Sequence, residues 1–300
     1  SKTAFDNVIN DGAELLGEQL GTVIEWVTRD AMCAGTNVQY AGGKTNRLSL
    51  TSADKLTVAD IRRAVRTLKK AKARMFTSSE DGRTRKPHFI CICSPDATYD
   101  LQSDALWQDV SKYAGAEQLY SGEIGRLFGV VFVESTEAKV FSQSVYTTVA
   151  SHSANDDTVT LASMSDTAAA YLVPGAKLRI GTAEYTVKSA DAANRTVTLS
   201  AAVSAAIPAG TAVYSEDAGA LDDSKKGMDV HGTLVFGADA YGVIDVAEGG
   251  ALRTIIKPCG SAGAADPLEQ RSTVGAKVEA YTAAILNDLW IVRIEHAVTL

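Results

Sequence analysis

Residues 13–45 read "AELLGEQLGTVIEWVTRDAMCAGTNVQYAGGKT", a helical pattern that runs into a glycine-rich end. Taken back to residue 4, Phe5, Val8, Ile9, Leu16, Leu20, Val23, Ile24, Val27 and Ala31 recur at steps of three and four. This spacing predicts a helix over 4–33 with one apolar side. At about 1.5 Å per residue it would reach roughly 40 Å, long for a globular domain. Gly12, Gly17 and Gly21 interrupt it, each costing about 1 kcal/mol against Ala. They mark either close packing on another backbone or a bend. Gly35 reads as the helix stop.

The end of the stretch, Gly42-Gly43-Lys44-Thr45, matches the last half of a phosphate-binding loop. That motif needs a further glycine where Val38 stands. It also needs a helix directly after it, so that backbone N–H groups wrap the phosphates. Here the helix precedes the loop and none is predicted at Thr45. A connector after a helix is favoured over a nucleotide site at 41–45.

Outward from this stretch, the 300 residues allow one large domain or two ordinary ones, and 46% hydrophobic against 22% charged is enough apolar material for a sizeable core. No run of about 18 apolar residues is present, so no membrane-spanning helix is expected. The start, "SKTAFDNVINDG", has no basic segment followed by an apolar one, and so is not read as a signal peptide. A net charge of −7 argues against a nucleic-acid binder as a whole. Cys91 and Cys93 alternate in "HFICICS", a buried strand with both sulfurs on one face, while Cys33 and Cys259 stand apart. No second Cys/His pair follows at zinc-ligand spacing, so no metal is assigned. A reduced, intracellular assembly environment fits this cysteine usage.

Residues 57–76, "TVADIRRAVRTLKKAKARMF", predict a second helix with Val58, Ile61, Val65, Leu68 and Met75 on its apolar stripe. Its other face is basic. Residues 51–86 hold eleven Lys/Arg and four Asp/Glu, a local +7 in a chain of net −7. Such a face suits an anionic partner, either nucleic acid or an acidic neighbouring subunit, or simply a solvated surface. "KPHFICICSPDATYDL" then reads as strand, turn at Ser94-Pro95-Asp96 and helix, and "GEIGRLFGVVFVEST" as a glycine turn and a buried strand. Asp96, Asp100 and Asp104 share a helix face, which is read as solvated.

From 147 to 216 the composition shifts to Ala, Thr, Ser and Val, with short alternating segments between turn signals and "TVTL" at both 158 and 196. This predicts a small all-β module inserted into a host domain, because the flanking text resumes its earlier style after it. Residues 232–246 and 273–299 read as strands; the latter fits a long hairpin turning at Asn287-Asp288, although "AKVEAYTAAIL" would also pass for a helix. "KPCGSAGAADPLEQ" is read as a loop.

No catalytic set assembles along the chain. His88, His152, His231 and His296 stand in unrelated surroundings, with His88 entering a strand and His296 near the end of one. There is no Gly-x-Ser-x-Gly elbow, "GEIGRLFG" lacks dinucleotide spacing, and Lys226 occupies a ligand position in the one calcium-loop-like segment. Neither an enzyme nor a cofactor is expected.

Several long segments nevertheless resemble one family. They are residues 13–43, "LTVADIRRAVRTLKKAKAR", "SPDATYDLQSD", "EQLYSGEIGRLFGVVFVESTEAKVF", "GTLVFGADAYGVIDV" and "DPLEQRSTVGAKVEAYTAAILNDLWIVRIE". In this order they resemble the major capsid proteins of tailed double-stranded DNA phages, nearest to the coliphage N-four-type branch. The resemblance runs from about residue 13 to 296, with 147–216 excepted. It implies an α+β, Hong Kong 97-type capsid fold. The peripheral-domain spine helix and connector would be 1–50 and the axial domain 51–146. The inserted β-rich domain would be 147–216, the return to the axial domain 217–249 and the peripheral strands 250–300. It implies assembly rather than catalysis: homo-hexamers and pentamers forming an icosahedral shell in the virion, built in the host bacterial cytoplasm. Its partners would be further copies of itself, decoration or scaffolding protein, and packaged DNA held without sequence specificity; no membrane is involved. Arg62, Arg63, Arg66, Lys69, Lys70 and Arg126 are the candidate intersubunit contacts. The family's N-terminal arm and extended loop have no counterpart before Ser1, so the chain is expected to be the C-terminal portion of a longer product. An encapsulin-like compartment shell is the alternative within the same fold.

Overall fold

The computed structural model describes residues 8–77, 79–80, 83–84, 87–111, 123–142, 145–215, 219–220, 227–245, 252–257, 260–261, 272–278 and 281–299. The first half of the chain supplies α1 (Val8–Cys33), β1 (Val38–Tyr40), α2 (Val58–Lys70), a small hairpin of β2 (Ser79–Glu80) and β3 (Arg83–Thr84), β4 (Phe89–Cys93), α3 (Pro95–Gln102) and α4 (Ala105–Ser111). After these come β5 (Glu123–Leu127), β6 (Val130–Glu134) and β7 (Val140–Phe141). The middle holds β8 (Tyr146–Ser151), β9 (Asp156–Leu161), α5 (Asp166–Tyr171), β10 (Lys177–Ile180), β11 (Ala183–Asp191), β12 (Thr196–Val203) and β13 (Ala212–Ser215). The last third supplies β14 (Val230–Phe236), β15 (Tyr241–Asp245), β16 (Leu252–Lys257), β17 (Thr273–Val278), β18 (Tyr281–Ile285) and β19 (Ile291–His296).

A mixed sheet in the order β1-β19-β14-β4-β6-β5, with β7 also on β14, forms the body. The β1–β19 and β4–β6 pairs are parallel and the others antiparallel. β4 shows how the two faces are used. Phe89, Cys91 and Cys93 point to one core with Ile61, Val65 and Leu68 of α2 and with Ala97 and Leu101 of α3. Ile90 and Ile92 point to the other, with Met32 and Cys33 at the end of α1. Both sulfurs thus lie on one buried face, as the alternation predicted, and burial pushes the Cys91 thiol up.

α2 starts where its sequence says it should. Thr57 accepts from the Asp60 backbone N–H while Asp60 reaches back, a reciprocal cap that satisfies two orphan donors. It stops at Lys70, short of the expected residue 76. Lys72 turns the chain at φ 56°, after which Arg74 bridges to Ala238 and Phe76 to His88 in extended backbone. α1 ends at Cys33 as expected, but Gly35 is not a left-handed helix cap. A Cβ there would meet Asp288 Oδ1 at 2.4 Å, and its absence lets that carboxylate accept from the Thr36 N–H at 3.0 Å. Residues 4–7 of the predicted helix lie outside the described residues. A Cβ added at Gly12, Gly17 or Gly21 would meet no described atom within 4 Å outside the helix's own turns, so close packing inside the subunit does not explain them.

The middle segment closes into a barrel, β10-β11-β12-β9-β8-β13. The two "TVTL" runs are direct neighbours, with Val159 opposite Val197, and both valines point into the barrel core with Leu161, Leu178 and Leu199. Its ends meet: the Ser215 N–H donates to the Val145 carbonyl at 3.1 Å. The barrel sits on the body through Tyr214 and Ala212 against Leu48.

The hairpin read over 273–299 is not formed. β18 pairs with β15, β17 pairs with β16, and β19 leaves for the central sheet, where it lies between β1 and β14. Alternation identified these strands but not their partners. The "KPCGSAGAADPLEQ" segment lies almost wholly outside the described residues.

Candidate functional site

The glycine-rich end of the opening stretch folds as a tight connector. Gly42 and Gly43 adopt φ 63° and 71°, and a Cβ on Gly42 would meet Asp54 Oδ1 at 2.1 Å. A carboxylate therefore occupies the side where a phosphate loop would need its anion. Lys44 pairs with that same Asp54 at 3.7 Å. Burial would raise the Asp54 carboxyl, but hydrogen bonds from the Thr51 N–H and hydroxyl, together with Lys44, hold it below its usual value. The geometry excludes the phosphate-loop reading of 41–45.

Behind this connector lies a polar joint that sequence reasoning missed. Glu295 on β19 is fully buried. It accepts from Arg47 Nε at 2.7 Å and from Arg293 Nε at 2.9 Å. Arg47 also stacks over the Phe141 ring at 3.8 Å. Arg293 in turn donates to the carbonyls of Cys33 and Gly35, so the joint ties the end of α1 to the sheet. Burial pushes the Cys33 thiol up to about 11. The available signal was an Arg and a Glu two residues apart, hence on one face, inside the apolar strand "IVRIEHAV".

Of the three aspartates read as a solvated face, Asp96 is exposed as expected, while Asp100 and Asp104 serve as connectors. Asp100 accepts from the Thr299 N–H at 2.8 Å, and Asp104, beyond the end of α3, accepts from the Val58 N–H at 3.0 Å at the start of α2. Two histidines thought unrelated are brought together as register partners, His231 and His296, with ring centroids 6.2 Å apart. His296 Nδ1 donates to the Ala297 carbonyl, leaving Nε2 for the Thr233 hydroxyl at 2.9 Å. Full burial pushes His296 down to about 4, and burial lowers His231 as well. His231 Nδ1 meets the Ser94 hydroxyl at 3.0 Å, and that hydroxyl caps α3.

The six candidate contact residues divide. Arg62, Arg66, Lys69 and Lys70 are exposed on α2 and, with Val65 and Phe128, line an open recess of about 650 Å³. Arg62 lies over the Phe128 ring at 5.2 Å. Arg63 turns inward, to Asp60 at 2.9 Å and to the Tyr40 carbonyl. Arg126 stands opposite Val131 on edge strand β5, and its side chain lies outside the described residues. A second groove, of about 360 Å³, runs between α1 and the sheet, with Ile24, Met32, Ile92 and Leu234 in its lining.

The helix-covered mixed sheet, the long helix whose end packs on one face of it and the closed barrel define a class. Residues 28–207 match the family model for phage capsid protein, more than half of the chain, and the chain belongs to that family. It is a phage major capsid protein with the Hong Kong 97-type fold, a structural subunit that assembles with further copies of itself into a shell. The capsid of Ralstonia phage GP4 is similar at 13% identity and a TM-score of 0.55, over 100% of this chain and 70% of that one. The head structure of Helicobacter pylori bacteriophage KHP40 is similar at 10% identity and a TM-score of 0.48, over 98% of this chain and 69% of that one. No curated protein matches in sequence. The family match runs through the barrel as far as residue 207, a segment the sequence resemblance had left out.

Proposed function

We propose that this subunit forms hexamers and pentamers that tile an icosahedral shell around packaged double-stranded DNA. Family membership over 28–207 carries this reading. The uncovered α1 supports it, because quasi-equivalent assembly needs extensive surfaces left open in the single subunit. On this reading 1–50 and 250–300 are peripheral and 51–146 and 217–249 axial, with β1 and β19 carried in the axial sheet. The shell assembles in the host cytoplasm, and decoration or scaffolding proteins act on its surface. DNA is enclosed rather than gripped, in keeping with the net charge of −7. Electron micrographs of the purified full-length product should show closed particles or capsomers. A strictly monomeric protein at every concentration would overturn the proposal.

The barrel is an inserted module on this reading, supported by the contact between its two ends. Replacing 147–216 by a short linker should leave a soluble body with a cooperative melt. Loss of folded protein would make the barrel part of the body.

A further inference from the structure

We propose that the basic recess on α2 receives the acidic outer face of α1 from a second copy of this chain. The proposal rests on the shell reading above and names the surfaces that would join neighbours. Arg62, Arg66, Lys69 and Lys70 gather four cations around Val65 and Phe128. Among the described residues no carboxylate lies within ion-pair reach of any of the four. Phe128 is 45% exposed at φ 52°, in a turn position that a bulky side chain occupies only at a cost. An exposed aromatic under Arg62, amid cations that no described carboxylate neutralises, suits a partner that is both acidic and apolar.

α1 has that character. Asp11, Glu14 and Glu18 recur at helical steps and are all exposed, so they form one acidic stripe, which Glu25 continues toward the body, where it accepts from the Ser135 hydroxyl at 3.1 Å. Leu15 is 66% exposed beside it, and Val23 is 37% exposed, while Trp26 turns its indole N–H to Glu137 of the same subunit. The two surfaces cannot meet within one subunit. α2 packs on the sheet face of Cys91 and Cys93, while the end of α1 packs on the face of Ile90 and Ile92. The contact is therefore head-to-tail between different patches, the kind that closes into rings. Packaged DNA is the other anion within reach. Phosphates would use the four cations but leave the exposed part of Phe128 and the apolar flank of α1 uncovered.

Charge exchange in the full-length protein tests this, with assembly followed by sedimentation and micrographs. R62E/R66E/K69E and D11K/E14K/E18K should each weaken association by roughly ten-fold to a hundred-fold, as expected for about three exposed ion pairs. The chain carrying both sets should regain particles. A double-set chain no better than either alone, beside a wild type that assembles, overturns the proposal and leaves the shell reading standing. A wild type that never assembles removes both. Normal assembly of the α2 variant with lost retention of a double-stranded DNA fragment assigns the recess to DNA and also overturns it. If the reversed chains do not fold, R66Q/K69Q carries the test: assembly must weaken and its salt dependence must fall, and unchanged assembly refutes the idea.

Discussion

α2 and α1 reach helical structure by opposite routes. α2 is short, capped at Thr57, and sinks Val58, Ile61, Ala64, Val65 and Leu68 into the core, turning only its basic side outward. α1 is 26 residues long, yet among its described side chains only Met32 and Cys33 are buried. Leu15, Val23, Trp26 and Val27 remain partly exposed, and it rests on the two-stranded ribbons β16–β17 and β15–β18, with only its end on the sheet. A helix that buries little of its surface draws little stability from packing. α2 is thus a folding element of the subunit, whereas α1 is fully buried only at its end and keeps one half-buried side on the ribbons and the other side open.

The anchor is the place to break this contrast. Glu295→Ala removes the buried carboxylate that both Arg47 and Arg293 pair with, and also loosens the hold on the Cys33 and Gly35 carbonyls. We expect a loss of about 3–5 kcal/mol in denaturant unfolding, the range for stranding buried charges. A loss under about 1 kcal/mol would mean that the joint is relaxed by water. Next in size is a paired truncation. Leu68→Ala, fully buried, should cost about 2–5 kcal/mol, whereas Leu15→Ala should leave subunit stability within about 0.5 kcal/mol. Equal losses would end the distinction between the helices.

The α2–α3 side of the sheet also carries an acid sensitivity. His296 titrates near 4 in the fold against an ordinary 6.5, so the unfolded chain takes up the proton first. Its contribution is intact above about 6.5 and is lost as pH falls toward 4, by about 3 kcal/mol in all. His231 is shifted in the same direction and adds to the slope, while Asp96, Asp100 and Asp229 oppose it by favouring the charged ring. His296→Gln should flatten the stability–pH curve over that window; an unchanged curve would place the proton elsewhere. Smaller still is Thr57→Ala, which removes the reciprocal cap and should lower the melting temperature in proportion to about 1 kcal/mol.

α2 could be read directly from its apolar stripe, because that signal is local; its early end could not, since Lys72 carries no mark of a left-handed turn. The run from β4 through Ser94 to α3 was legible for the same reason, as was the barrel, whose strands alternate between close turns. Glu295 and Arg47 are 248 residues apart, and His231 meets His296 only through strand register. Such pairings are set by which strands lie side by side, and the predicted β18–β19 hairpin shows that alternation does not choose neighbours. The candidate surface was half legible. Charge and spacing on α2 marked four of its cations, but Phe128 belongs to a turn in another element, and Arg63 points inward because Asp60 serves both the cap and this pairing.

The glycines of α1 give the finest test of the contrast. Outside the helix's own turns, Gly17 has no described atom within 4 Å of an added Cβ, and in an isolated subunit Gly17→Ala should raise stability by about 0.5–1 kcal/mol through helix propensity alone. Assembly is the second readout. If α1 faces solvent in the finished shell, the variant should assemble as well as the wild type. If its glycines admit a neighbour's backbone, stability should rise while particle yield falls. That opposite movement would show that the residues which weaken α1 alone are fitted to a partner.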